Sequence, residues 1–127
     1  MKKRINVAGS GSESLEQRSL VSWWRLCGQK LQPGAVLYAI PNGGRRDAAT
    51  GARLKAEGAL AGIPDMMLAW PAGGKHGLYL ELKKKVGGRA SKAQNEVMKA
   101  LESAGYACAV CHGWLEAKQA IEEYLLK

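Results

Sequence analysis

The segment Gly62-Ile63-Pro64-Asp65-Met66-Met67-Leu68-Ala69-Trp70, then Pro71-Ala72-Gly73-Gly74, then Leu78-Tyr79-Leu80-Glu81-Leu82-Lys83, decides how this chain is read. Residues 65–70 and 78–83 are short apolar runs of strand character, and the Pro/Gly stretch between them is a bend. Side chains alternate along a strand, so Glu81 and Lys83 share one face while Leu80 and Leu82 point the other way into a core. A regular antiparallel hairpin centred on Gly73 sets Asp65 directly opposite Glu81. Two opposed carboxylates repel, and a fold accepts them readily when a divalent cation lies between. Hard oxygen ligands suit Mg²⁺ or Mn²⁺, and the Leu82 backbone carbonyl offers one more. Lys83, on the same face, can orient or deprotonate a water or offset charge building on a substrate.

Outward from this hairpin the elements follow from periodicity and punctuation. Glu13 to about Cys27 is helical, with Leu15, Leu20, Trp23, Trp24 and Cys27 as a broad apolar face. Ser12 or Ser14 caps its start, and Gly28 and Pro33-Gly34 end it. Residues 35–40 form a strand stopped by Pro41-Asn42-Gly43-Gly44, and residues 47–57 favour a helix with Gly58 as its stop. Ser91-Lys92-Ala93-Gln94 has the form of a capping box. It opens a helix whose buried stripe is Val97, Met98 and Leu101, with Gly105 after it. A strand over residues 106–111 and an amphipathic helix over residues 114–126 complete the chain. The order αβαββαβα predicts an α/β protein, a mixed β-sheet flanked by α-helices. Residues 1–12 read as a flexible basic arm and residues 13–127 as a single domain.

Composition narrows the function. The 127 residues suit one domain, and 46% hydrophobic residues exclude a disordered chain. No apolar run approaches a membrane span, and the basic start lacks the apolar stretch of a secretory signal. Three cysteines make a poor disulfide framework. These features predict a cytoplasmic protein with no membrane partner. A net charge of +8 and a pI near 9.6 point to a polyanionic partner. The basic residues also cluster, with Arg45 and Arg46 in a Gly-rich stretch and Lys84, Lys85, Arg89 and Lys92 following Lys83. Clustering favours a phosphate-contacting face. A site that activates water in such a chain predicts hydrolysis of a phosphodiester.

The ordered set Pro64-Asp65 … Glu81-Leu82-Lys83 resembles the PD-(D/E)xK nuclease superfamily, and within it the VRR-NUC family, including its small stand-alone phage members. Glu16-Gln17 and Trp23 on the first helix, Ile40-Pro41-Asn42-Gly43-Gly44, Gly62-Ile63-Pro64-Asp65 and Ser91-x-x-Gln94 carry the resemblance from about Glu13 to Tyr124. The segment that gives the family its name reads Ala109-Val110-Cys111 here, without the arginines. The resemblance implies a restriction-endonuclease-like fold and a metal-dependent endonuclease, structure-selective on branched DNA such as Holliday junctions. It also implies a first-helix glutamate, Glu16 with Glu13 as runner-up, that joins Asp65, Glu81 and Leu82 at the metal. Gln94 becomes a catalytic residue beside Asp65, Glu81 and Lys83. Asn42, Arg45 and Arg46 would contact DNA together with Lys84, Lys85, Arg89 and Lys92. Stand-alone members are homodimers, for which Trp23, Trp24 and Trp114 are candidate interface residues, although core packing is the commoner fate of tryptophan.

Two other readings compete. One is a non-catalytic nucleic-acid-binding module on a nuclease-like scaffold, which the intact Asp65, Glu81 and Lys83 disfavour. The other rests on Cys108-Ala109-Val110-Cys111-His112, which matches the c-type haem attachment motif. The segment reads as a buried strand, in which residues three apart face opposite sides, so no haem is expected and the cysteines are assigned to packing.

Overall fold

The computed structural model describes residues 12–41 and 47–127. Helix α1 (Glu13–Leu26) runs into a 3-10 turn (Gly28–Leu31), then strand β1 (Val36–Ala39), helix α2 (Ala48–Ala56), strands β2 (Met66–Ala69) and β3 (Leu78–Lys83), helix α3 (Lys92–Ser103), strand β4 (Ala107–His112) and helix α4 (Trp114–Leu125). The order αβαββαβα therefore holds. Among the described residues the 3-10 turn is the one addition: Gly28 to Leu31 is too short for any periodicity to register and reads in sequence only as a helix stop.

The four strands form one mixed sheet in the order β1-β2-β3-β4. β2 is antiparallel to both of its neighbours, β1 and β3, and β4 lies parallel to β3. The parallel step needs a crossover, and α3 supplies it. The β2–β3 pairing joins Met66 to Leu80, Met67 to Tyr79 and Leu68 to Leu78, the register of a hairpin centred on Gly73. At the tip, Ala72 and Lys75 exchange backbone hydrogen bonds of 3.1 and 2.9 Å. Gly73 and Gly74 both have positive φ, as a two-residue turn of this kind requires.

One face of the sheet carries the core. Leu68, Leu80 and Leu82 are fully buried and pack with Leu20 and Trp24 of α1 and Ala117, Ile121 and Tyr124 of α4. Each such leucine contributes roughly 1.5–3 kcal/mol on burial, so a one-residue slip of β3 would exchange leucines for Glu81 and Lys83 against α1 and α4. The apolar face thus fixes where the charged face points. Trp24 is buried in this core, and Trp23 and Trp114 pack against it while staying partly exposed. The opposite face meets α3, where Gln94 reaches Glu81 and the Cys108 thiol approaches the Met98 carbonyl.

Local chemistry starts the helices. The Ser12 hydroxyl accepts from Leu15 N–H at 3.1 Å, and Asp47 accepts from Thr50 N–H at 2.7 Å. Ser91 and Gln94 form the full capping box at α3. α4 differs: its N-cap is Gly113, which has no side chain to satisfy the open N–H groups. Among the described residues no helix is long and apolar enough to cross a membrane.

Candidate active site

Asp65 stands immediately before β2, where Pro64 ends the ladder by lacking an N–H. Its backbone carbonyl accepts from Ile40 N–H at 2.8 Å, tying it to the end of β1. Its side chain turns to β3, where Oδ2 accepts from Leu82 N–H at 2.7 Å. The N–H and C=O of one strand residue share an edge, so the Leu82 carbonyl faces the Asp65 side as well. Lys83, by the same alternation, faces β4, and its carbonyl accepts from Gly113 N–H.

Gly62 makes the approach to Asp65 possible. It has φ +91°, and a β-carbon there would lie 2.7 Å from the Ala93 carbonyl oxygen. Only a residue without a side chain lets this loop press against the start of α3. The pressing brings Gln94 to the acids. Its Oε1 accepts from Ser91 N–H at 2.8 Å, while its Nε2 donates to Glu81 Oε2 at 2.9 Å. The helix cap and the site contact are served by opposite ends of one amide.

Glu81 is the centre of the group. It is 2% exposed, and Lys83 beside it is 9% exposed. The Lys83 ammonium lies 3.1 Å from Glu81 Oε2, so that oxygen has both Lys83 and Gln94. Oε1, equally buried, has no hydrogen-bond partner among the described residues. Burial, and then the charge of Asp65, push the Glu81 carboxyl up to about 7, with Lys83 pulling the other way. Asp65, Glu81, Lys83, Gln94 and the Leu82 backbone therefore lie together at the end of β3.

Glu16 does not complete that group. Its buried carboxylate accepts from Trp114 N–H at 2.8 Å, 98 residues along the chain. The cause is the uncapped start of α4: with glycine at the N-cap, an acid from α1 fills the role and meets the positive helix end. Among the described residues no three His, Cys, Asp or Glu side chains are grouped so as to hold a metal ion, so the expected Glu16–Asp65–Glu81 trio is not assembled. Glu13, not Glu16, lines a cleft of about 730 Å³ together with Gln17, Arg18 and Asp65. The signal that sequence reading missed was Gly113 directly before a helix, a cap position that needs help from elsewhere.

The basic residues divide. Asn42, Arg45 and Arg46 lie outside the described residues. Lys84, Lys85, Arg89 and Lys92 are exposed on the segment from the end of β3 to the start of α3. None of the four has an acidic partner among the described residues, unlike Arg53, which pairs with Glu57, and Lys118, which pairs with Glu122. The segment is fastened to β4 by His112 Nε2, 2.6 Å from the Gly88 carbonyl. Cys108 and Cys111 lie on opposite faces of β4, Cys111 in the core and Cys108 toward α3. Burial pushes both thiols up, to about 11 at Cys108 and about 12 at Cys111, so both are protonated at neutral pH.

A mixed four-stranded sheet flanked by helices, with Asp, Glu and Lys gathered where β2 begins and β3 ends, defines a restriction-endonuclease-like α/β protein. The sequence profile of the VRR-NUC domain matches residues 12–114, and the chain belongs to that family. A solved structure described as a VRR_NUC domain protein is similar to it, with a TM-score of 0.75 and 27% sequence identity over 89% of this chain and 87% of that one. No curated protein matches the chain. The fold is thus nuclease-like, and the family nuclease-related.

Proposed function

We propose that this protein is a divalent-metal-dependent DNA endonuclease that hydrolyses phosphodiester bonds with Mg²⁺ or Mn²⁺. The observation that carries this reading is Glu81 Oε1, a carboxylate oxygen buried without a partner among the described residues, beside Asp65 and Lys83. Burial and the neighbouring Asp65 make it costly to ionise both carboxylates together, which is why Glu81 is pushed up to about 7, and a cation relieves that cost. The donors on offer are all hard oxygens, from Asp65, Glu81 and the Leu82 carbonyl, which suits Mg²⁺ and Mn²⁺ over softer metals. Neither α1 acid is grouped with Asp65 and Glu81 among the described residues; of the two, Glu13 shares a cleft with Asp65, so we assign any α1 contribution to Glu13. Glu16 supports the site from behind by holding α4.

A bound cation supplies charge neutralisation at the phosphate and a more acidic water. The chain's own residues do the rest. Gln94 and Lys83 occupy Glu81 Oε2 and leave Oε1 as the oxygen that would meet a cation. The Lys83 ammonium orients the attacking water and offsets negative charge on the phosphate oxygens. Leu82 N–H fixes the Asp65 carboxylate so that it does not collapse onto Lys83. Lys84, Lys85, Arg89 and Lys92 hold the DNA backbone, joined by Asn42, Arg45 and Arg46.

The finer reading is selectivity for branched DNA such as Holliday junctions, cut by a homodimer that offers one site to each of two strands. It rests on the family resemblance. The test incubates purified protein with a four-way junction and with linear duplex, with and without Mg²⁺ or Mn²⁺, and measures mass in solution by light scattering. Metal-dependent cutting, faster on the junction, by a dimer is the expected result. Tight binding with no cutting under any metal would replace the reading by a non-catalytic nucleic-acid-binding module.

A further inference from the structure

The cleft that Asp65 shares with α1 has a second feature, two arginines on its helical wall. Glu13, Gln17, Arg18, Val21 and Arg25 line one side, and Ala39 to Pro41 with Asp65 line the other. Arg18 and Arg25 are seven residues apart, two helical turns, so they share a face about 10.5 Å apart along the axis. Both are exposed, and neither has an ion-pair partner among the described residues. Their own helix explains why: positions three and four residues away hold Ser14, Leu15, Val21 and Ser22 for Arg18, and Val21, Ser22, Gly28 and Gln29 for Arg25. The exposed Arg53 on α2, by contrast, takes Glu57 at that spacing. Ser14, Gln17 and Ser22 add uncharged donors to the same cleft.

We propose that this cleft between α1 and the end of β1 is a phosphate track for one DNA strand, with Arg18 and Arg25 as its charged contacts, leading to Asp65. The inference rests on the nuclease reading for its ligand. Two long guanidinium side chains on one helix face, two turns apart, can each engage a separate phosphate of a single strand. The acid in the cleft, Glu13, is in the first turn of α1, which Glu16 ties to the end of β3 through Trp114 N–H and the Gly113–Lys83 bond, and Arg25 lies about 18 Å further along the helix. The track therefore runs from basic to acidic, delivering the backbone to the carboxylates where a cation binds. It is distinct from the Lys84 to Lys92 segment, which follows β3 rather than lining this cleft.

The test is the salt dependence of DNA binding, read by fluorescence anisotropy in EDTA with a labelled single strand and a labelled duplex. The Arg18→Ala/Arg25→Ala protein should bind about tenfold or more weakly, and its slope of log affinity against log salt should fall by about 1.4–1.8. The Arg18→Lys/Arg25→Lys protein should keep the wild-type slope, which separates charge from folding. A wild-type slope in the alanine protein with an unchanged melting temperature would overturn the track. Loss of slope in a protein whose wild type never cuts DNA with any metal would support the track while refuting hydrolysis. Wild-type cutting together with an unchanged slope would refute the track alone.

Discussion

Asp65 Oδ2 accepts a 2.7 Å hydrogen bond from Leu82 N–H, so the acid that begins β2 is locked to the residue between Glu81 and Lys83. In a longer hairpin that N–H would donate to a backbone carbonyl of β2. Pro64 and the turn at Gly62 end β2 early, and the side chain of Asp65 takes the vacated place. A ladder bond is exchanged for a positioned carboxylate. Asp65→Ala should leave Leu82 N–H unpaired in a part-buried setting, costing about 1–3 kcal/mol in chemical denaturation besides any loss of metal. Asp65→Asn, whose amide oxygen can still accept, should recover most of the stability and none of the metal binding.

The Glu81 carboxyl gives the metal-free protein a pH dependence of definite sign. Its folded value of about 7 lies above the ordinary 4.5, because of burial and then Asp65. Its contribution to stability is therefore complete below about 4.5 and is lost as pH rises through about 7. In EDTA the melting temperature should fall between pH 5.5 and pH 8.5, and Glu81→Gln should flatten that fall and melt several degrees above wild type at pH 8. Saturating Mg²⁺ should restore the wild type at pH 8 and leave Glu81→Gln unchanged. A wild-type protein equally stable in EDTA at both pH values would contradict the assignment.

Glu16 and Glu13 are distinguishable by what fails. Removing the Glu16 carboxylate strands the first N–H groups of α4 under a buried side chain. Glu16→Ala should cost about 1–3 kcal/mol in urea unfolding. Glu13→Ala, exposed in the first turn of α1, should cost under about 1 kcal/mol and instead weaken Mn²⁺ binding in calorimetry. The reverse pattern would return the metal role to Glu16.

Gln94 has two roles on one amide, and a substitution can part them. Gln94→Glu keeps an oxygen to accept from Ser91 N–H but turns an anion toward Glu81 Oε2. The α3 cap should survive, with stability retained at pH 5.5, while Mn²⁺ affinity at pH 7 drops or shifts. Gln94→Ala should lose about 0.5–2 kcal/mol through the cap alone. If both variants bind Mn²⁺ as the wild type does, Gln94 is a helix cap only.

Much of this was legible from residues alone, for reasons that differ by element. The β2–β3 register could be read because Leu78, Leu80 and Leu82 demand one face and Gly73-Gly74 mark the tip, so Asp65, Glu81 and Lys83 follow by alternation. The Ser91–Gln94 capping box is written within four residues, while its place beside Glu81 was implied only by the family resemblance. The Glu16 contact was not legible, since it joins positions 98 residues apart and answers a deficit at Gly113. The arginine stripe of α1 escaped for another reason: Arg18 and Arg25 become notable only once β1 and Asp65 are seen across the cleft.

The central claim is that Asp65, Glu81 and Lys83 form one hydrolytic metal site. The most direct test is strand cleavage of end-labelled DNA under single-turnover conditions, in Mn²⁺ or Mg²⁺ and in EDTA, by the wild type and by Lys83→Ala. Cutting by the wild type in metal alone, and a loss of at least about a hundredfold in Lys83→Ala with DNA binding retained, is the predicted result. Cutting in EDTA, or Lys83→Ala cutting at the wild-type rate, would contradict it.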